Sequence, residues 1–193
     1  MRVWTHRATL GAVLGLAVAV AVLVACSSTP SATRATASMV YEASAPHEAV
    51  VLTPEARQQL AALRAATAPY HDIEAAKAVG FAQITDCMGD SAKGGMGVHY
   101  GLASRFDGTA RYDAPEILVY EPEKNGTLRL VAIEFAVPFD TWTSENAPEL
   151  FGQKFHKNFT FGLWVLHAWI WKDNPSGLFM DYNPKATCAN GLD

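Results

Sequence analysis

The sequence has little cysteine and lacks the short motifs that identify common catalytic centres. Its three cysteines lie in no CxxC or CxxCH pattern, so neither a thioredoxin-like redox pair nor attached haem is indicated. There is no GxSxG segment, no Walker loop and no dinucleotide-binding glycine pattern. No HxH, HxxxH or HExxH spacing joins two metal ligands locally. A catalytic or metal site would therefore have to be assembled by the fold from separated residues.

The chain also lacks an excess of positive charge. It has 15 basic and 19 acidic residues, and its first 25 residues hold two of the arginines and no acid. The remainder carries 13 basic against 19 acidic residues, so it has no basic stripe that could neutralise phosphates. We therefore expect no nucleic-acid partner and no anionic lipid surface as a partner beyond an anchor.

The N-terminus is the most apolar part of the chain. Arg2 and Arg7 precede the uncharged run Ala8–Ala25, which ends in Leu-Val-Ala before Cys26. This order is typical of a secretory signal, whereas a membrane-spanning anchor, the alternative, would be short at about 18 residues. The segment Leu23–Cys26 resembles the lipobox of bacterial lipoproteins. The resemblance implies that residues 1–25 are removed and that Cys26 carries fatty acids such as palmitate. The protein would then be lipid-anchored in the cell envelope, on the extracytoplasmic side of a bacterial membrane.

The domain organisation follows from composition. Residues 26–46 are rich in Ser, Thr, Ala and Pro and predict a flexible tether, and residues 47–193 predict one α+β domain. With Cys26 lipidated, Cys87 and Cys188 remain, and in an oxidising compartment they are most simply a disulfide. A redox pair or two metal thiolates are the alternatives.

Two helices are expected before the sheet. Thr53-Pro54-Glu55 has the residue types of a helix start, and Pro69 disfavours helical geometry at the residue before it. A second helix is predicted from about Tyr70 to Val79, ending at Gly80. We expect both helices to pack on one face of a mainly antiparallel sheet of about five or six strands, curled toward a barrel.

The clearest hairpin joins residues 115–121 to residues 127–135 across a turn that contains Asn-Gly. With a three-residue loop, Glu116 would face Glu134 directly. Glu134 lies among apolar residues and could be buried, or it could pair with an arginine on a solvated face. Glu116 follows a proline at a strand end and is expected to be exposed.

The stretch Leu163–Phe179 is the longest apolar run outside the N-terminus and predicts a central strand with His167 in its middle. A helix over residues 163–171 is the alternative that periodicity leaves open. Residues 138–160 form a long irregular segment, which we expect to cover one end of the sheet as a lid. Four aromatic residues are the expected pocket residues: Trp142, Phe151, Trp169 and Trp171.

His99, Glu134 and His167 are the candidate metal ligands. Two histidines and one carboxylate on neighbouring strands commonly hold zinc, iron or manganese and leave positions open for water or substrate. The alternative is that the histidines are core residues hydrogen-bonded to a carboxylate or a backbone carbonyl.

Five segments of the domain resemble a motif set of bacterial secreted proteins of uncharacterised function: residues 94–101, 115–122, 148–155, 166–179 and 183–188. The resemblance implies that residues 70–188 form one unit, and it brings no activity. We expect an envelope lipoprotein that binds a small ligand or a partner between the sheet and the long loop. The alternatives are a metal-dependent enzyme that activates water and a purely structural lipoprotein.

Overall fold

The computed structural model describes residues 50–190. The predicted signal peptide and Cys26 lie outside the described residues, as does the predicted tether. Within that range, no helix combines the length and the apolar character that crossing a membrane requires.

The helical part begins where the sequence places it. Helix α1 spans Pro54–Thr67, and the Thr53 hydroxyl accepts a hydrogen bond from the backbone N–H of Ala56 at 3.1 Å. The helix continues directly into a 3-10 turn, Ala68–His71, and only a six-residue helix, α2 (Ile73–Ala78), follows. The predicted pair of packed helices is therefore wrong. Ala68 keeps helical backbone angles although Pro69 follows it, because a proline in the first turn of a 3-10 segment loses little.

The strands pair in one antiparallel sheet and one small ribbon. The seven-stranded sheet has the order β1-β3-β4-β5-β9-β8, with β2 paired to β3, while β6 and β7 pair with each other. The predicted barrel is wrong, because β1 and β8 end the sheet and do not pair. Both edge strands are too short to close it. In chain order the strands are β1 Ala82–Gln83, β2 Met88–Asp90, β3 Gly94–Gly101, β4 Ile117–Pro122, β5 Leu128–Pro138, β6 Glu149–Leu150, β7 Gln153–Lys154, β8 His156–Asn158 and β9 Leu163–Ala168.

The two faces of the sheet are covered differently. On the helix face, the buried side chains Leu60 and Leu63 of α1 belong to one apolar cluster with Leu118, Ile133 and Leu166. On the opposite face, here called the cavity face, a smaller apolar cluster includes Val119, Val131, Val165 and Ala186. Because β4 and β5 are buried on both faces, alternating residues of each strand are committed to different clusters.

The predicted strand with His167 at its centre is confirmed over Leu163–Ala168, and the helical alternative is wrong. It pairs antiparallel with β5 and places Glu134 opposite His167. The strand ends at Ala168, so the predicted alternation does not extend to Trp171. The backbone N–H of Trp171 donates to the Val131 carbonyl at 3.2 Å, and its indole N–H donates to the Thr67 hydroxyl at 3.3 Å. Trp171 therefore packs toward α1.

Because of a register shift in the β4–β5 hairpin, Glu116 does not face Glu134. Near the turn, Glu121 faces Arg129, as a three-residue loop requires. Farther along, one extra residue in β5 shifts the pairing by one position, so that Ile117 faces Glu134. Glu116 is fully buried, and its Oε2 accepts a hydrogen bond from the backbone N–H of Ala136 at 3.0 Å. The predicted exposure of Glu116 is therefore wrong.

The C-terminal segment is fastened to the start of β3. Gly95 and Asn183 form an antiparallel bridge, and a Cβ atom on Gly95 would lie 2.8 Å from the carbonyl carbon of Ala186. The predicted disulfide between Cys87 and Cys188 is confirmed. The absence of a side chain at Gly95 thus allows a close backbone contact, and the segment after β9 is held over the cavity face.

Candidate metal centre

The structure brings the three candidate ligands together on the cavity face. His99 lies on β3, Glu134 on β5 and His167 on β9. Each offers a ligand atom, and these atoms all lie within 4.8 Å of one another. All three residues are buried.

Strand alternation explains why the three side chains share a face. The neighbours of His99, Val98 and Tyr100, belong to the helix-face cluster, as do the neighbours of Glu134 and those of His167. Because successive side chains of a strand point to opposite faces, each polar residue is turned to the cavity face. The apolar flanks therefore determine the direction of each candidate ligand.

The separations suit a shared metal ion. Nε2 of His99 lies 3.4 Å from Oε2 of Glu134, and Nε2 of His167 lies 3.8 Å from the same oxygen. Two ligand atoms about 2.0–2.1 Å from a tetrahedral ion are about 3.3 Å apart, so small rotations of the side chains would bring all three into contact with one ion. The arrangement matches the two-histidine, one-carboxylate sets that hold zinc or iron.

The outer nitrogen of each histidine ring has its own partner. Nδ1 of His99 is hydrogen-bonded to the Thr85 hydroxyl at 2.9 Å, and the Nδ1–H of His167 donates to Oδ1 of Asp181 at 3.2 Å. The second oxygen of Asp181 lies 3.1 Å from Nε2 of His156. Such outer contacts fix the orientation of metal-binding rings and leave Nε2 of each ring directed at Glu134.

Nε2 of His167 is the atom that this arrangement leaves unexplained. It is buried and has no hydrogen-bond partner among residues 50–190. Buried polar atoms are almost always paired, because an unpaired one loses its bonds to water without replacement. An unpaired nitrogen directed at a carboxylate and a second histidine is an arrangement that a cation between them would satisfy.

The electrostatic environments of the two rings differ. Burial lowers the pKa of His99, although the Glu134 charge opposes this. For His167, burial is again the largest single influence and lowers the pKa, but Glu134 and Asp181 together outweigh it and leave the pKa raised. Burial raises the pKa of Asp181, yet the hydrogen bonds from His156 and His167 hold it below its ordinary value. Because Glu134 and Asp181 favour the protonated ring, a proton would compete with a metal ion for His167.

A cavity of about 390 Å³ opens beside the three residues, which contribute to its wall. His156, Asp181 and Tyr182 add polar groups. The apolar part of the wall includes Met88, Met96, Ile117, Leu163, Val165 and Phe161. Its volume is within the range of small-molecule sites.

None of the four aromatic residues predicted for a pocket lines this cavity. Phe151 packs against Phe135 in the helix-face cluster, and its N–H donates to the Gln59 side chain of α1. The Trp169 indole N–H donates to the Met180 carbonyl, and Trp142 is packed against the helix-face cluster. Much of the segment 138–160 is thus packed on the helix face; only its end, near His156, reaches the cavity.

Sequence reasoning missed Thr85, His156 and Asp181. Thr85 and Asp181 lie outside regular strands, so no periodicity assigns them to a face. His156 is half-exposed, yet it lines the cavity and contacts Asp181. The only sequence feature near Asp181 is the Asn183-Pro184 pair, which indicates a turn shortly before Cys188.

No protein-family model, curated protein or solved structure matches this chain. What the centre can do therefore follows from its own geometry and chemistry.

Proposed function

We propose that the protein binds one divalent transition-metal ion through His99, Glu134 and His167, and that the ion binds a small molecule in the adjoining cavity. The unpaired, buried Nε2 of His167 is the observation that supports this most directly. Zinc, iron and manganese are the ions that this ligand set suits. Three protein ligands leave at least one coordination position, and the cavity gives a small molecule access to it.

A metal-dependent enzyme is the second candidate, and the number of ligands favours it. Structural zinc sites usually have four protein ligands, whereas catalytic sites have three and keep a position for water, whose pKa the metal lowers. However, the two carboxylates that line the cavity are both engaged. Glu134 faces the two histidines, and both oxygens of Asp181 contact histidines. A free general base is not found among the carboxylates of the described wall, which favours ligand binding over hydrolysis.

Metal content is the test. The full chain, purified without a histidine tag, is stripped with a chelator, reloaded separately with zinc, ferrous iron and manganese, and analysed for metal per chain. We expect close to one ion per chain and loss of that ion in His167→Ala. The matched control, His71→Ala, changes an exposed histidine beside α2 and should keep the metal.

Asp181→Asn refines the same test. Removing the negative charge behind His167 should lower metal affinity by about 10–100-fold without abolishing binding. If the wild-type chain takes up none of the three ions, or if His71→Ala and His167→Ala lose metal alike, the proposed centre is wrong.

We also propose, from the lipobox resemblance, that acylated Cys26 anchors the domain in the bacterial cell envelope. Mass spectrometry of the N-terminal peptide from the native host checks this. The expected result is a chain that begins at Cys26 and carries fatty acids, and a Cys26→Ala chain that keeps residues 1–25. An unmodified cysteine in the wild-type peptide would contradict the proposal.

A further inference from the structure

The inner wall of the cavity offers few hydrogen bonds. Met96, Ile117 and Val165 line it and are at most 9% exposed. A polar group placed against them would lose its bonds to water and find no replacement, whereas an apolar group would be transferred out of water at a gain. The wall next to the proposed metal thus favours a ligand with an apolar body.

The charged residues around the cavity also favour an uncharged ligand. No lysine or arginine lines it among residues 50–190, and the carboxylates that do are Glu134 and Asp181. The rings of His156 and His167 each contact one oxygen of Asp181 and are paired with it. Phosphate and carboxylate groups are usually recognised by arginine, lysine or converging backbone N–H groups. Apart from the metal itself, the described wall therefore offers no unpaired cation to the body of an anionic ligand.

Exposed apolar side chains extend the wall to the surface. Ile84 and Phe161 line the cavity and yet are 51% and 52% exposed. Phe161 belongs to the β8–β9 turn, where its N–H donates to the Asn158 side chain at 3.3 Å. Large apolar side chains gathered at the mouth of a cavity indicate an apolar ligand or partner.

We infer that the site takes an uncharged, largely apolar molecule that presents one oxygen or nitrogen donor to the metal. This rests on the proposed metal centre and names the class of ligand that the centre binds. The donor occupies the open coordination position, and the apolar body lies along Ile117 and Val165 toward Phe161 at the mouth.

Cobalt-loaded protein tests the inference, because Co²⁺ accepts nitrogen and oxygen ligands and its visible absorption changes when a ligand joins its coordination shell. The full chain is titrated with imidazole, 4-phenylimidazole and inorganic phosphate. Imidazole and 4-phenylimidazole share one donor and differ by an uncharged ring. We expect 4-phenylimidazole to bind at least about tenfold more tightly than imidazole, and phosphate to bind more weakly than 4-phenylimidazole.

Two neighbouring phenylalanines provide a matched pair of variants. Phe161→Ala removes part of the cavity wall and should weaken 4-phenylimidazole binding about 3–10-fold while imidazole binding is unchanged. Phe159→Ala changes a 79% exposed side chain that does not line the cavity, and it should leave both affinities as they are. Both positions are exposed, so neither change is expected to unfold the chain.

The outcomes separate the two proposals. If cobalt binds but imidazole binds as tightly as its phenyl derivative, or phosphate binds better than either, the inferred ligand class is wrong and the metal centre stands. If cobalt does not bind, the metal centre is wrong, and calorimetric titration of the metal-free chain decides the ligand class. Tighter binding of 4-phenylimidazole than of imidazole, reduced in Phe161→Ala, would still support an apolar ligand. Equal binding of the two compounds to the metal-free chain would overturn the inference.

Discussion

Glu116→Gln should remove a pH dependence of stability that the wild-type chain carries. Glu116 is fully buried; its Oε2 accepts from the Ala136 N–H, and its Oε1 has no partner among the described residues. Burial raises the pKa of this carboxyl to about 8, against the opposing effects of that hydrogen bond and of nearby arginines. At neutral pH the folded protein therefore keeps Glu116 protonated.

The sign and size follow from proton linkage. Between pH 4.5 and about 8 the unfolded chain has released the Glu116 proton while the folded chain retains it, so folding takes up a proton and rising pH opposes it. The stabilisation is complete below pH 4.5 and is lost as the pH rises through about 8. At about 1.4 kcal/mol for each pH unit, the wild-type free energy of unfolding falls by about 3–5 kcal/mol across this range.

Glutamine has nearly the same shape, can accept the same hydrogen bond and does not titrate. Urea unfolding followed by tryptophan fluorescence, from pH 5 to pH 9, should show the Glu116→Gln variant gaining on wild type as the pH rises. The gain should level off above pH 8. Glu145→Gln, an exposed position in the loop before β6, should follow the wild-type curve. A difference between Glu116→Gln and wild type that is the same at every pH would refute the reasoning.

Two further predictions concern the attachment of the C-terminal segment. Changing Cys87 and Cys188 together to alanine removes a link between residues 101 positions apart and should lower the free energy of unfolding by about 4–5 kcal/mol. Reductant should lower the stability of the wild-type chain by the same amount. Urea unfolding curves that reductant leaves unchanged would contradict this. Gly95→Ala places a methyl group against the Ala186 backbone and should cost about 1–3 kcal/mol, whereas Gly89→Ala, whose added atom meets only ordinary contacts, should cost less than about 0.5 kcal/mol. Equal melting temperatures for the two alanine variants would show that the segment is not seated on β3 as described.

Apolar patterning predicted much of the fold that surrounds the site. Alternation around His167 identified a strand covered on both sides, and the structure pairs it with β5. The same patterning placed His99 and Glu134 within strands. Local sequence patterns do not predict the strand order β3-β4-β5-β9, which places the two histidines on either side of Glu134. Strand order depends on long-range pairing energies that no local pattern records.

The errors arise where contacts between distant parts of the chain, which no local pattern records, position a residue. An extra residue in β5 shifts the register by one, and at this point the Val131 carbonyl accepts a hydrogen bond from the Trp171 N–H, a contact between distant parts of the chain. Glu116, next to the start of β4, lies at the shifted end of this hairpin and is buried. Asp181 could not be assigned, because its segment has no strand periodicity and is positioned by the bridge between Gly95 and Asn183.

The order of the chain also determines when the proposed centre can be filled. His99 and Glu134 are synthesised well before His167, and the carboxylate behind His167 and the cysteine that fastens its segment come later still. A growing chain therefore offers a metal two ligands, an incomplete set without its supporting contacts. The proposed centre would therefore select its ion where the finished chain folds and its disulfide forms.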